Sequence, residues 1–192
     1  MAFKAIHPVT RRFREPSWSE AHEHAVADLC AEIGEAMGMS PRHVSRLRLA
    51  GALHDVGKSL IPPALLETPG PLSDDQWATV RLHPVLGEQI LVGEGLLDIA
   101  PWVRSHHERF DGLGYPDRLR GSEIPIEARI LAGADAYDAM VSERPYSVAR
   151  PAATAREALT AGAGSQFDPR VVATFRRCLE GAEVAAPIAV AA

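Results

Sequence analysis

The segment Ile126 to Ser142, IEARILAGADAYDAMVS, is apolar nearly all the way round a helical wheel. A helix without a polar face has to be central, with other helices around it. Asp135 stands inside this segment. An ionised carboxylate is expensive to bury without a partner, so it must either meet a cation or face solvent. Apolar neighbours on every side of Asp135 favour a metal ion. Asp138, one turn on, reads as an acceptor that supports a ligand, or as a structural group.

The rest of the chain supplies the surrounding helices. Trp18, His22, Val26, Leu29, Ile33 and Met37 repeat at three- and four-residue steps and mark a first helix from Ser17 or Ser19 to Met37. His22 lies on its buried stripe, whereas Glu20 and His24 project elsewhere. Ser40-Pro41 is an N-cap and first-turn pair for a second helix. Val44, Leu47, Gly51 and His54 share its inner face, and Gly57 is expected as its C′ glycine. A short helix is expected at Ala64 to Glu67. Ser73 to Gln76 reads as a capping box for a third long helix, which Pro84 interrupts just after His83. Further helices are expected near Leu97 to His107, Ala152 to Ala161 and Pro169 to Leu179. The glycine- and proline-rich stretch from Glu108 to Gly121 is a loop. Abundant alanine and leucine, with 6% aromatics, favour helices over a β-sandwich.

The expectation is an all-α bundle with a buried metal centre. Residues 1–16 form an arm, 17–180 one domain and 181–192 a tail. The formal net charge of -5 argues against broad binding to nucleic-acid polymers. Cys30 and Cys178 make no metal or disulfide motif. No signal-peptide pattern and no apolar run of the roughly 18 residues needed to span a membrane is present. A cytoplasmic protein without membrane contact is expected.

Chemistry concentrates at a few places. His54-Asp55 ends a buried helix and is followed by Gly57 and Lys58. His106-His107 precedes the loop. Taken singly, His22 reads as a core histidine, His83 as a helix-terminal residue, and Lys58 as a solvated lysine at a helix C-terminus. Their conjunction with Asp135 shifts the balance towards a metal site.

In order along the chain, LHDVGKSLIP, TPGPLS, RLHPVLGEQIL, HHERFDGLGYP, ARILAGADAYDAM, RPYS and FDP together resemble an HD-GYP domain, a subgroup of the HD-domain phosphohydrolases. The resemblance covers residues 18 to 180. It implies a helical bundle holding two or three metal ions, usually iron or manganese, that hydrolyses cyclic dimeric GMP to linear pGpG and often on to GMP. Some members prefer the mixed GMP-AMP cyclic dinucleotide.

The positions matching metal ligands are His22, His54, Asp55, His83, His106, His107 and Asp135, with Asp55 bridging. Five neutral histidines and two carboxylates around two divalent ions leave a charge of about +2, which attracts phosphate. The resemblance implies two-metal hydrolysis. Asp55 and Lys58 are its catalytic candidates, and Lys58, Gly114, Tyr115 and Arg144 its substrate contacts. Members with three metals carry a glutamate one turn before the first histidine, where this chain has Trp18. Two ions are therefore expected, with pGpG accumulating. Ser147 and Ala25 also replace residues that are basic in the family pattern. Rival expectations are hydrolysis of another cyclic dinucleotide or nucleotide, or an interaction module that contacts partners such as cyclic-dinucleotide synthases.

Overall fold

A computed structural model describes residues 17–68, 70–143 and 148–185, without the side chains of 17–19 and 181–185. The N-terminal arm, Arg144 and Ser147 lie outside the described residues. The described helices are α1 (Ser17–Ala36), α2 (Pro41–Leu53), α3 (Pro63–Leu66), α4 (Asp74–Val80), α5 (His83–Gly93), α6 (Ala100–Arg104), α7 (Ile126–Val141), α8 (Ala152–Ala161) and α9 (Pro169–Ala185). No strand occurs among the described residues, so the fold is all-α. None of these helices is long and apolar enough to cross a membrane. α9 runs on past residue 180, where the tail was expected to begin.

The α7 helix is central, as its sequence requires. It packs against α1, α2, α6, α8 and α9. Ile130, Leu131 and Ala134 are fully buried against a core that includes Cys30, Ile33, Leu47, Leu53, Leu91, Ile99 and Phe175. Each large side chain fully buried here contributes about 1.5–3 kcal/mol relative to its exposed state. The partly buried Arg129–Asp168 pair, at 2.5 Å, ties α7 to the start of α9. Asp168 also accepts from the backbone N–H of Arg170 at 2.7 Å.

Local chemistry sets the helix ends. Ser40 Oγ accepts from the His43 N–H at 3.3 Å, with Pro41 in the first turn of α2. The Ser73–Gln76 capping box starts α4. Pro84 falls in the first turn of α5, where a missing N–H costs no hydrogen bond.

Two expectations need correction. α2 stops at Leu53, and His54-Asp55 turn the chain into a 3-10 segment, Val56–Leu60. Gly57 is therefore not a left-handed C′ residue. It is a point of contact with α5, where a Cβ would lie 1.9 Å from the His83 carbonyl oxygen. The helix expected from Leu97 to His107 is confined to Ala100–Arg104, which leaves both histidines in the following turn.

Gly57→Ala should cost more than about 2 kcal/mol, because backbone must move on both sides of the contact. Gly93→Ala is the control: its Cβ meets nothing within 4 Å, and the change should alter stability by less than about 1 kcal/mol. Urea unfolding of the two variants checks this, and equal midpoints would refute the close-contact account.

Candidate metal centre

The fold gathers all seven side chains singled out as metal ligands. They form two sets, His22, His54 and Asp135, and Asp55, His83, His106 and His107; within each set the ligand atoms lie within 4.8 Å of one another. Asp55 stands between the sets. Its Oδ2 is 3.4 Å from His54 Nε2 and its Oδ1 is 3.3 Å from His83 Nε2. Asp135 Oδ1 is 3.3 Å from His22 Nε2 and 3.9 Å from His54 Nε2.

Backbone carbonyls aim the rings. Nδ1 of His54, His83 and His106 donates to the carbonyl three residues earlier, of Gly51, Val80 and Val103, at 2.8, 2.7 and 2.6 Å. With the proton on Nδ1, each ring presents the Nε2 lone pair to the centre. His22 is oriented differently, through its Nδ1 contact to Asp138 Oδ2 at 2.5 Å. Asp138 also accepts from Ser142 Oγ at 2.8 Å. It is thus the supporting acceptor that its position one turn after Asp135 suggested.

The donor set fits divalent cations. His54 Nε2, His106 Nε2 and Asp55 Oδ1 are buried without a hydrogen-bond partner. Each such atom costs about 1–3 kcal/mol unless something satisfies it. The His83 and His107 Nε2 atoms face each other at 3.1 Å, and a cation between such nitrogens satisfies both. Imidazole with carboxylate is a donor set for first-row divalent metals.

Electrostatics of the metal-free chain agree. Burial lowers the His54 pKa, but Asp55 and Asp135 outweigh it and raise the ring to about 9. Burial opposes ionisation of Asp55, yet Lys58 and His54 hold it well below the ordinary carboxylate range. Burial likewise opposes ionisation of Asp135, which His22 and His54 pull down. Burial drives His107 down to about 4 and His106 well below its ordinary value, so both rings are neutral at pH 7. Protonated His54 stands in for a cation between the two carboxylates.

Lys58 Nζ lies 2.5 Å from Asp55 Oδ2, with its side chain 29% exposed. Tyr115 stacks on His107 with ring centroids 4.9 Å apart. Burial pushes its phenol up, Asp55 and Asp135 act the same way, and Arg81 opposes them. Tyr115 is therefore a neutral hydrogen-bond donor at the edge of the site. Gly114 allows the loop to fold against its own start, since a Cβ there would meet Arg109 N at 2.3 Å and Glu108 Cα at 2.6 Å. Arg144 lies outside the described residues.

Glu108 had no assigned role from sequence. It is buried, and its Oε1 accepts from the Asp117 N–H at 2.6 Å, closing the loop behind Tyr115. Arg104 anchors the same loop through Asp117 and joins it to Glu88 on α5. The only local signal was an acidic residue between two histidines and a glycine-rich stretch.

Residues 12–171 match the family model described as HD domain. The chain is 40% identical over 148 residues to the cyclic di-GMP phosphodiesterase response regulator RpfG of Xanthomonas campestris pv. campestris, covering 76% of this chain and 39% of that protein. It is 35% identical over 175 residues to the 3′3′-cGAMP-specific phosphodiesterase 2 of Vibrio cholerae, covering 90% of this chain and 33% of that protein. The chain thus spans well under half the length of these relatives. Among solved structures, the HDG"Y"P protein Bd1817 of Bdellovibrio bacteriovorus superposes with a TM-score of 0.67 at 21% identity, over 85% of this chain and 53% of that one. That likeness establishes the fold.

Two outcomes follow for metal loading. Below pH 9, binding displaces the His54 proton, and His22, also raised by its carboxylate partners, adds to the release. Affinity for Mn²⁺ should therefore rise by at least about tenfold per pH unit between pH 7 and 8.5. Titration calorimetry in two buffers of different ionisation enthalpy checks this, and identical heats would refute it. Asp138→Asn should weaken metal binding by about 10- to 100-fold, read by metal analysis after dialysis; full retention would remove the supporting role of Asp138.

Proposed function

The chain belongs to the HD-domain family, in its HD-GYP group, and we propose that it is a metal-dependent phosphodiesterase that hydrolyses cyclic dimeric GMP to linear pGpG. The observation that carries this reading is the pair of ligand sets divided by Asp55, with Lys58 and Tyr115 beside them. Two divalent ions, iron or manganese, held by His22, His54 and Asp135 and by Asp55, His83, His106 and His107, would supply Lewis-acid activation of water and phosphate.

The chain's own residues do the rest. Asp55, ionised by Lys58 and His54, offers one oxygen to each set. Lys58 supplies an ammonium to the reacting phosphate from the same edge. Tyr115 keeps its proton at neutral pH and donates a hydrogen bond to a phosphate oxygen. Gly114 lets the loop that carries Tyr115 lie close, and Glu108 and Arg104 hold that loop. Binding through fixed donors costs no reorganisation when charge builds on the phosphate. Trp18, in place of a carboxylate, supports two ions and pGpG as the accumulating product.

A second reading shares the site and changes the substrate. The relative from Vibrio cholerae is named for 3′3′-cGAMP, which makes the mixed GMP-AMP cyclic dinucleotide the alternative substrate.

Anaerobically purified protein should contain about two iron or manganese ions per chain and convert cyclic dimeric GMP to pGpG, resolved by chromatography. Asp55→Ala should lower the rate by about 10³-fold or more. A folded, metal-loaded protein that leaves both cyclic dinucleotides intact would overturn the substrate assignment and point to another phosphoester or to an interaction module.

A further inference from the structure

Arg81 immediately follows α4 and is exposed, two residues before His83. Its guanidinium carbon lies 5.8 Å from the centre of the Trp77 ring and 5.5 Å from that of Tyr115. Tyr115 in turn stacks on His107, a member of the metal-ligand set built around Asp55. A ladder of flat groups therefore leads outward from the centre, from His107 through Tyr115 and Arg81 to Trp77. Trp77 ends it on the surface, 46% exposed.

Among the described residues, the Arg81 guanidinium has no hydrogen-bond or carboxylate partner. Arg104, by contrast, is held by both Glu88 and Asp117. Cation–π contacts use the faces of a guanidinium and restrict its motion. They leave its in-plane N–H groups available, in the fork that matches two oxygens of a phosphate. A positioned arginine without a counter-charge, one ring removed from a metal-ligand set, is arranged to receive an anion.

We infer that Arg81 binds substrate, taking the phosphodiester of the cyclic dinucleotide that is not being cleaved. This rests on the cyclic-dinucleotide reading above. Such a substrate carries two phosphodiesters. The reacting one belongs beside Asp55 and Lys58, and the other would reach outward past Tyr115 to the exposed Arg81. Trp77 is a positioning residue that holds the guanidinium in place.

The test compares cyclic dimeric GMP with bis(p-nitrophenyl) phosphate, which has a single phosphodiester, on metal-loaded wild type, Arg81→Ala, Arg81→Lys and Trp77→Ala. Loss of one charge-assisted contact should raise the Arg81→Ala KM for cyclic dimeric GMP by about ten- to a hundredfold. The change in kcat should be less than threefold. The ratio of kcat/KM for the two substrates should fall by the same factor as KM rises. Arg81→Lys keeps the charge without the planar fork and should recover only part of the loss. Trp77→Ala should show a smaller rise in KM in the same direction. An unchanged ratio in Arg81→Ala overturns the inference while leaving the activity assignment standing. A parallel loss on both substrates with a lower melting temperature also overturns it, and makes Arg81 a latch for the Tyr115 loop. Wild type that cleaves only the small ester removes the cyclic-dinucleotide reading, and the inference with it.

Discussion

The structure depends on two carboxylates held inside a helical core. Asp55 is buried and Asp135 is largely shielded, its side chain 22% exposed, so neither stays ionised there without positive charge close by. In the metal-free chain Lys58 and the His54 proton supply it. The carboxylates consequently select a cation in whatever state the protein occupies, and the imidazoles around them set its chemical type. Because the side chains of the two sets come from elements far apart in sequence, loading the centre with a metal and closing the bundle would be coupled.

The histidines are directed by the backbone more than by one another. Each helix or turn that ends near the centre has a carbonyl no longer used within the helix. His54, His83 and His106 use such carbonyls three residues back to fix their tautomer. Terminating α2 at Leu53 and α6 at Arg104 is therefore part of building the site. Gly57 belongs to the same construction, since its missing side chain lets the Asp55 turn touch α5 at His83, bringing together ligands separated in sequence.

Features governed by local chemistry were legible from the residues. The Ser73–Gln76 box, the limits of α8 and the inward face of His22 each follow from short-range pattern. Asp135 was legible because a charge in an apolar helix demands an explanation wherever the helix lies. A C′ glycine and a close-contact glycine look alike in sequence, and only the opposing α5 backbone distinguishes the role of Gly57. The helix expected through His107 ends at Arg104, and the Val103 carbonyl accepts from the His106 ring, an arrangement that the sequence pattern does not signal. Glu108 and Arg81 carried no periodic signal. Their roles come from the Asp117 backbone and the Tyr115 ring, whose proximity only the folded loop creates.

That loop joins the centre to the surface. Its inner end is fixed by His107, its middle by Glu108, and its outer side by Arg104 through Asp117 and α5. Tyr115 is therefore positioned by contacts to several elements and moves little independently of them. A phenol held this way would lose little entropy on meeting a ligand, so its interaction energy would go into orientation. The overall charge of -5 would not oppose an anionic ligand here, because a phosphate at this centre would face Lys58 and the exposed Arg81 rather than the average surface. At physiological salt, charges more than about 8 Å away are largely screened. Local placement of cations therefore outweighs the sign of the whole chain.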